Sequence, residues 1–197
     1  MVRRSSAREP HPWLDPNKKY YVGPAARDFF DPTCFPQSLN CASGRAKLDN
    51  FDQPSGNLWC FRFMGGHLVW DASQQGENRF FTMACMNHNS SGHVAYLSPD
   101  LSLTADEGRA ELWAASLHPL CRETVAGEVA MQLRAHTSGK ILCADERKQL
   151  VHLVKPQDSQ ATDPVTGIPL FTSAWEATPD DDPPEEAVQA LLDKLKV

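Results

Sequence analysis

Cys85, His88 and His93 fall within nine residues of one another, close enough for two imidazoles and a thiolate on the arms of one hairpin to share a metal ion. The residues among and between them, Asn87, Asn89, Ser90, Ser91 and Gly92, are turn formers that serve loop geometry. The plainer reading is a solvated polar turn, so no metal and no other cofactor is expected. The six cysteines, Cys34, Cys41, Cys60, Cys85, Cys121 and Cys143, include neither a CxxC pair nor a tight CxC cluster, and zinc-ribbon spacing is absent. No GxSxG elbow, P-loop or GxGxxG occurs. Asp180, Asp181 and Asp182 lack the spacing of a calcium loop and read as a solvated run that can cap a helix. The expectation is a protein that is not an enzyme.

Composition narrows the partners. A chain of 197 residues is long enough for one well-buried core with tails. With 41% hydrophobic and 22% charged residues, and no apolar run approaching the ~18 residues of a membrane span, it reads as a soluble protein without a membrane partner. The net charge of -6 argues against nucleic acid, which is held largely by excess Lys and Arg. Met1 to Glu9 contains no apolar stretch suited to a signal peptide, so free thiols and a cytoplasmic location are expected. The Arg- and Ser-rich start, MVRRSSAR, leaves organelle import open.

Between residues 20 and 178, short apolar runs alternate with Gly, Pro, Asn, Asp and Ser punctuation, which is an all-β signature. The spacing predicts strands at Phe80 to Met86, His93 to Leu97, Leu101 to Ala105, Ala110 to Ser116, Ala130 to Ala135, Lys140 to Ala144, Leu150 to Val154 and Leu170 to Ala177. Three weakly alike segments, Leu39 to Gly44, Ala95 to Asp100 and Ile141 to Glu146, each precede a Trp-bearing strand at Trp59, Trp113 or Trp175. Cys41 stands 18 residues before Trp59, Leu97 16 before Trp113 and Cys143 32 before Trp175; removing the 13 residues of the polar stretch Gln157 to Pro169 leaves 19. One further strand precedes each segment, at Arg27 to Phe30, Phe80 to Met86 and Ala130 to Ala135. Three units of four strands cannot form a capped solenoid, so a closed architecture is expected. This is the β-trefoil pattern. Gly139 should adopt positive φ in a tight hairpin, and Leu133, Ile141, Cys143, Leu150 and Trp175 should meet near the pseudo-threefold axis, with Ile141 and Cys143 facing inward and the alternate residues outward.

The third unit, with Val129-Ala130-Met131-Gln132-Leu133-Arg134-Ala135, then Ser138-Gly139-Lys140-Ile141-Leu142-Cys143-Ala144-Asp145 and Phe171 to Glu176, resembles the fascin-like, actin-cross-linking branch of the β-trefoils. The resemblance is best over residues 80–178. It implies a non-catalytic binding or scaffold protein associated with the cytoskeleton, actin- or microtubule-based, or with another large protein assembly. The chain departs from that family in having one trefoil rather than tandem copies, and in its inserts at Met64 to Arg79 and Gln157 to Pro169. A glycan-binding trefoil, using pockets near Trp70 and Asp71, is the alternative.

Residues 1–19 form a Pro-punctuated tail with five basic and two acidic residues; residues 179–197 carry two basic and six acidic ones. Val188, Leu191, Leu192 and Leu195 fall at i, i+3, i+4 and i+7, behind Asp182, Pro183 and Pro184 at the start of a predicted short amphipathic helix. Its apolar stripe either packs back on the body or docks on a partner. Candidate partner-binding residues are therefore Trp13, Lys18, Lys19 and Tyr20 in an extended arm, and Val188, Leu191, Leu192 and Leu195 in the helix.

Overall fold

The computed structural model describes residues 14, 17–25, 37–50, 55–63, 80–87, 93–117 and 130–180. They are all-β, with twelve strands and two single 3-10 turns. The strands are β1 (Tyr20–Pro24), β2 (Gln37–Asn40), β3 (Lys47–Asn50), β4 (Leu58–Phe63), β5 (Phe81–Cys85), β6 (Ala95–Leu97), β7 (Leu103–Thr104), β8 (Trp113–Leu117), β9 (Met131–Ala135), β10 (Ile141–Asp145), β11 (Leu150–Val154) and β12 (Trp175–Pro179). The expected strand at Arg27 to Phe30 lies outside the described residues, and the first strand observed is β1. The predicted C-terminal helix likewise lies outside them.

Antiparallel pairing closes six strands into a barrel in the cyclic order β1, β4, β5, β8, β9, β12 and back to β1. The other six form the hairpins β2–β3, β6–β7 and β10–β11. Closure leaves the barrel without edge strands. The register repeats three times: Tyr20 opposes Trp59, Phe81 opposes Trp113 and Met131 opposes Trp175. On the other side of each Trp-bearing strand, Trp59 opposes Cys85, Trp113 opposes Ala135 and Trp175 opposes Pro24.

Side chains from alternate positions stack inside the barrel in layers, as the two-residue strand period requires. One layer holds the three tryptophans, all fully buried. Two residues along each strand, the facing pairs are Phe61 with Met83, Ala115 with Leu133 and Ala177 with Val22. One unit places a phenyl ring where the others place methyl groups, so the single ring fills volume near the barrel axis that three rings would overfill. Phe61 meets the edges of Tyr20 and Phe81 at centroid distances of 5.5 and 5.3 Å.

Two of the tryptophans also tie the barrel to its hairpins. Trp59 Nε1 donates to the Leu39 carbonyl at 2.9 Å, and Trp175 Nε1 donates to the Leu142 carbonyl at 2.8 Å. In the middle unit the Leu97 carbonyl accepts the Glu111 N–H instead, and the buried Trp113 Nε1 has no hydrogen-bond partner. The structurally equivalent residues are therefore Leu39, Leu97 and Leu142, rather than the Cys41, Leu97 and Cys143 suggested by the sequence pattern.

The inward-facing set of the third unit differs from expectation in two respects. All five residues of β10 are buried, with Leu142 and Ala144 in the main core and Ile141 and Cys143 buried beside it. Leu150 is not near the axis: it is 43% exposed. It follows Gln149, whose left-handed φ of 55° turns the chain into β11, and Val151 takes the core position. Gly139 does adopt positive φ, 65°, in the β9–β10 turn.

Each hairpin turn contains one left-handed residue: Gly44, Leu101 and Gln149, at φ of 81°, 66° and 55°. Their carbonyls accept N–H groups from another hairpin, namely those of Leu103, Ala46 and Leu48. The left-handed region costs a leucine roughly 1–2 kcal/mol, but full burial of its side chain returns about 1.5–3 kcal/mol. Leu101 is buried in the core, which offsets the strain. Its turn is braced by Asp100, whose Oδ1 accepts from the Ser98 and Ser102 hydroxyls at 2.5 and 2.6 Å and from the Ser102 N–H at 3.1 Å. These donors hold the carboxyl at about 2, below its ordinary 3.8.

Trp175→Ala should cost about 3–5 kcal/mol in urea denaturation, and Trp59→Phe and Trp175→Phe should each cost about 1 kcal/mol more than Trp113→Phe, which breaks no indole hydrogen bond. Asp100→Asn should lower stability at neutral pH. Because the folded-state carboxyl titrates below its ordinary 3.8, the ionised turn contributes in full above that value. The contribution fades below it and is gone once the pH has fallen through about 2, where the melting temperatures of the two proteins should converge.

Candidate functional site

The candidate residues separate into three groups. Trp13, Val188, Leu191, Leu192 and Leu195 lie outside the described residues. Lys18 and Lys19 are exposed where the chain enters β1, and the Lys19 carbonyl accepts the Asp180 N–H at 2.9 Å, so the two ends of the barrel chain leave side by side. Tyr20 does not belong to a partner-facing arm: its side chain is 2% exposed and is part of the barrel core against Phe61. The two-residue period turns it inward as the first residue of β1.

The thiol and imidazole cluster is described only in part. His88 lies outside the described residues, and Cys85 is buried, with its thiol pushed up to about 11 by desolvation. Burial also raises the Cys41 thiol well above its ordinary range. Protonated thiols at neutral pH are poor nucleophiles and poor ligands. Cys41, Cys60, Cys85 and Cys143 carry thiols rather than disulfides. Among the described residues no group of three His, Cys, Asp or Glu side chains is placed to hold a metal, and no helix is long and apolar enough to cross a membrane.

Some of the buried polar groups are committed to the backbone, while Ser38 Oγ, Thr82 Oγ1 and Glu111 Oε2 have no hydrogen-bond partner. Asn57, Glu111 and Ser173 stand two residues before the three tryptophans, and all are buried. Glu111 Oε1 accepts the N–H groups of Leu112 and Thr137 at 3.1 and 2.9 Å, joining the start of β8 to the turn after β9. Asn57 Oδ1 accepts from Asn87 Nδ2 at 3.0 Å, while Asn87 Oδ1 accepts the Leu58 N–H at 2.9 Å, making the same link between β4 and β5. An acid and an amide thus do one structural task in two units.

Among the described residues, the exposed large hydrophobic side chains all belong to the third unit. Residues 155–174 connect β11 to β12 and include the stretch read from sequence as a polar insert. A 3-10 turn at Pro156–Asp158 opens it, and Thr162 bridges Pro169. Asp163 organises the tip: its N–H donates to the Ile168 carbonyl, its carbonyl accepts the Gly167 N–H, and Oδ1 accepts the N–H groups of Val165 and Thr166 at 2.8 and 3.0 Å. The Thr166 and Val165 N–H groups hold the Asp163 carboxyl below its usual range, with a smaller contribution from Arg147.

This bracing presents apolar side chains to solvent. Val165 is 91% exposed, Ile168 47% and Leu170 42%. The loop is joined to the β10–β11 hairpin by the Ala144–Thr172 bridge, by the hydrogen bond from the Thr172 hydroxyl to Glu146, and by the His152 and Phe171 rings at 5.6 Å. Leu150, on the same hairpin, completes the set of exposed large hydrophobics among the described residues. Sequence reading missed this surface because Pro164, Thr166, Gly167 and Pro169 break any strand or helix period around the apolar residues. The available signal was Asp163-Pro164 with Gly167 four residues later, a turn that holds its neighbours outward.

Family models and curated proteins contain no match to this chain. Its class rests on the architecture and this surface. Asp163→Ala should leave the melting temperature of the barrel unchanged while opening the loop to limited proteolysis between residues 161 and 170, because the lost contacts lie within the loop.

Proposed function

We propose that the chain is a β-trefoil of the fascin-like type, acting as a non-catalytic scaffold that binds a cytoskeletal filament or another large protein assembly in the cytoplasm. The trefoil reading is supported by the six-stranded barrel, its threefold register and its three hairpins. The binding reading rests chiefly on one observation: an internally braced loop carries Val165, Ile168 and Leu170 outward. A loop that held these side chains only for stability would fold them onto the core, so their exposure favours contact with another surface. The net charge of -6 opposes approach to an acidic filament, and the basic residues at Lys18 and Lys19 supply local charge of the opposite sign.

Co-sedimentation with actin filaments and with microtubules tests the proposal. Retention in one of these pellets is expected, weakened roughly tenfold or more by Val165→Asp combined with Ile168→Asp if the loop is an energetic centre of the contact. Binding on a glycan array without retention in either pellet would replace the scaffold reading with the glycan-binding one.

A further inference from the structure

We propose that in the free protein the loop surface at Leu150, Val165, Ile168 and Leu170 is covered, within the same chain, by the C-terminal segment Asp181 to Val197. The chain contains an exposed apolar surface and, in its sequence, an apolar pattern that needs one. The first is the exposed set on the third unit; the second is the stripe of Val188, Leu191, Leu192 and Leu195 in the segment. An isolated helix of about 15 residues is marginal in water without a surface to pack on.

Charge and length favour this pairing. The segment opens with Asp181, Asp182, Glu185 and Glu186 and ends with Lys194 and Lys196. Exposed Arg147 and Lys155, with Lys148 paired to Asp145, stand on the hairpin side of the loop and exposed Asp158 lies within it, so both signs are available near the surface. The chain leaves β12 at Pro179, one strand length from Trp175, and a five-residue strand is about 17 Å long. The 17 residues from Asp181 onward span up to roughly 55–60 Å when extended, leaving ample length for part of the segment to be helical. Tethering gives the segment an effective concentration on the order of mM. A contact of a few apolar side chains fills at that concentration, whereas the same contact between two dilute molecules does not.

The segment would thereby compete with any partner that uses the loop, adding regulation to the proposed function. Its test needs no partner, so its failure is distinguishable from failure of the scaffold reading. Amide hydrogen exchange of the full-length chain is followed by mass spectrometry over residues 185–197. Exchange is expected to be at least roughly tenfold slower than in a free peptide of the same sequence, and independent of protein concentration. In full-length Val165→Asp with Ile168→Asp it should return to within about twofold of the peptide rate, since the stripe has lost its seat. Val165 is 91% exposed, so this variant should retain the barrel, as its unchanged melting temperature would verify. Peptide-like exchange in the parent chain would overturn the proposal. So would protection that survives the loop substitutions, or protection that grows with concentration and so belongs to a second copy.

Discussion

In two of the three units a hydrogen bond between a buried indole and a hairpin carbonyl reinforces the strand pairing that joins barrel and hairpin. The barrel by itself is a ring of six strands, and each hairpin by itself is too small to be stable. Trp59 and Trp175 lie in the barrel wall and donate to Leu39 and Leu142 in the hairpins. The bond satisfies an indole N–H that would otherwise be buried at a cost, and it fixes the height of the hairpin over the barrel. With that height set, the left-handed turn residues meet N–H groups of neighbouring hairpins, and the barrel end is covered by a network rather than by separate flaps.

A register that repeats three times around the barrel coexists with dissimilar side chains because each layer answers to a total volume. Phe61 is tolerated since Ala115 and Ala177 occupy the matching places. The polar positions vary in the same way: Asn57 and Glu111 both tie the start of a Trp-bearing strand to the neighbouring turn, one with an amide and the other with a carboxylate. The middle unit diverges further, since its indole makes no hydrogen bond and the Glu111 N–H occupies the carbonyl that would receive it. Divergence of this kind hides a repeat from residue-by-residue comparison while leaving its geometry intact.

Much of the barrel was nevertheless legible in the chain. The tryptophans mark their strands because a large ring at a regular spacing must be buried, and alternation located β5, β9, β10 and β11 within a residue or two. The correspondence between units was misjudged at Cys41 and Cys143 because the feature that defines it is a backbone carbonyl, which residue type does not reveal. The intervals also differ: Leu39 to Trp59 is 20 residues, Leu97 to Trp113 is 16 and Leu142 to Trp175 is 33. Tyr20 was misread because its neighbours Lys18 and Lys19 suggest a solvated arm, whereas strand pairing with Pro179 and Trp59 turns its ring inward. The candidate surface was the least legible part. Its exposure depends on how Asp163 folds a short turn, and exposure is a property of the assembled loop rather than of the sequence of Val165 and Ile168.

The seam between β1 and β12 joins residues 20–24 to residues 175–179. During synthesis, the first barrel strand must therefore wait, unpaired along one edge, until residues 175–179 have emerged from the ribosome. β4 can join it early, because Tyr20 and Tyr21 pair with Trp59 and Leu58, and β5 can follow. The last edge is sealed only by β12. A chain stalled before Trp175 would lack the sixth barrel strand and keep two open edges, the kind of intermediate that chaperones bind and that pairs wrongly with its neighbours.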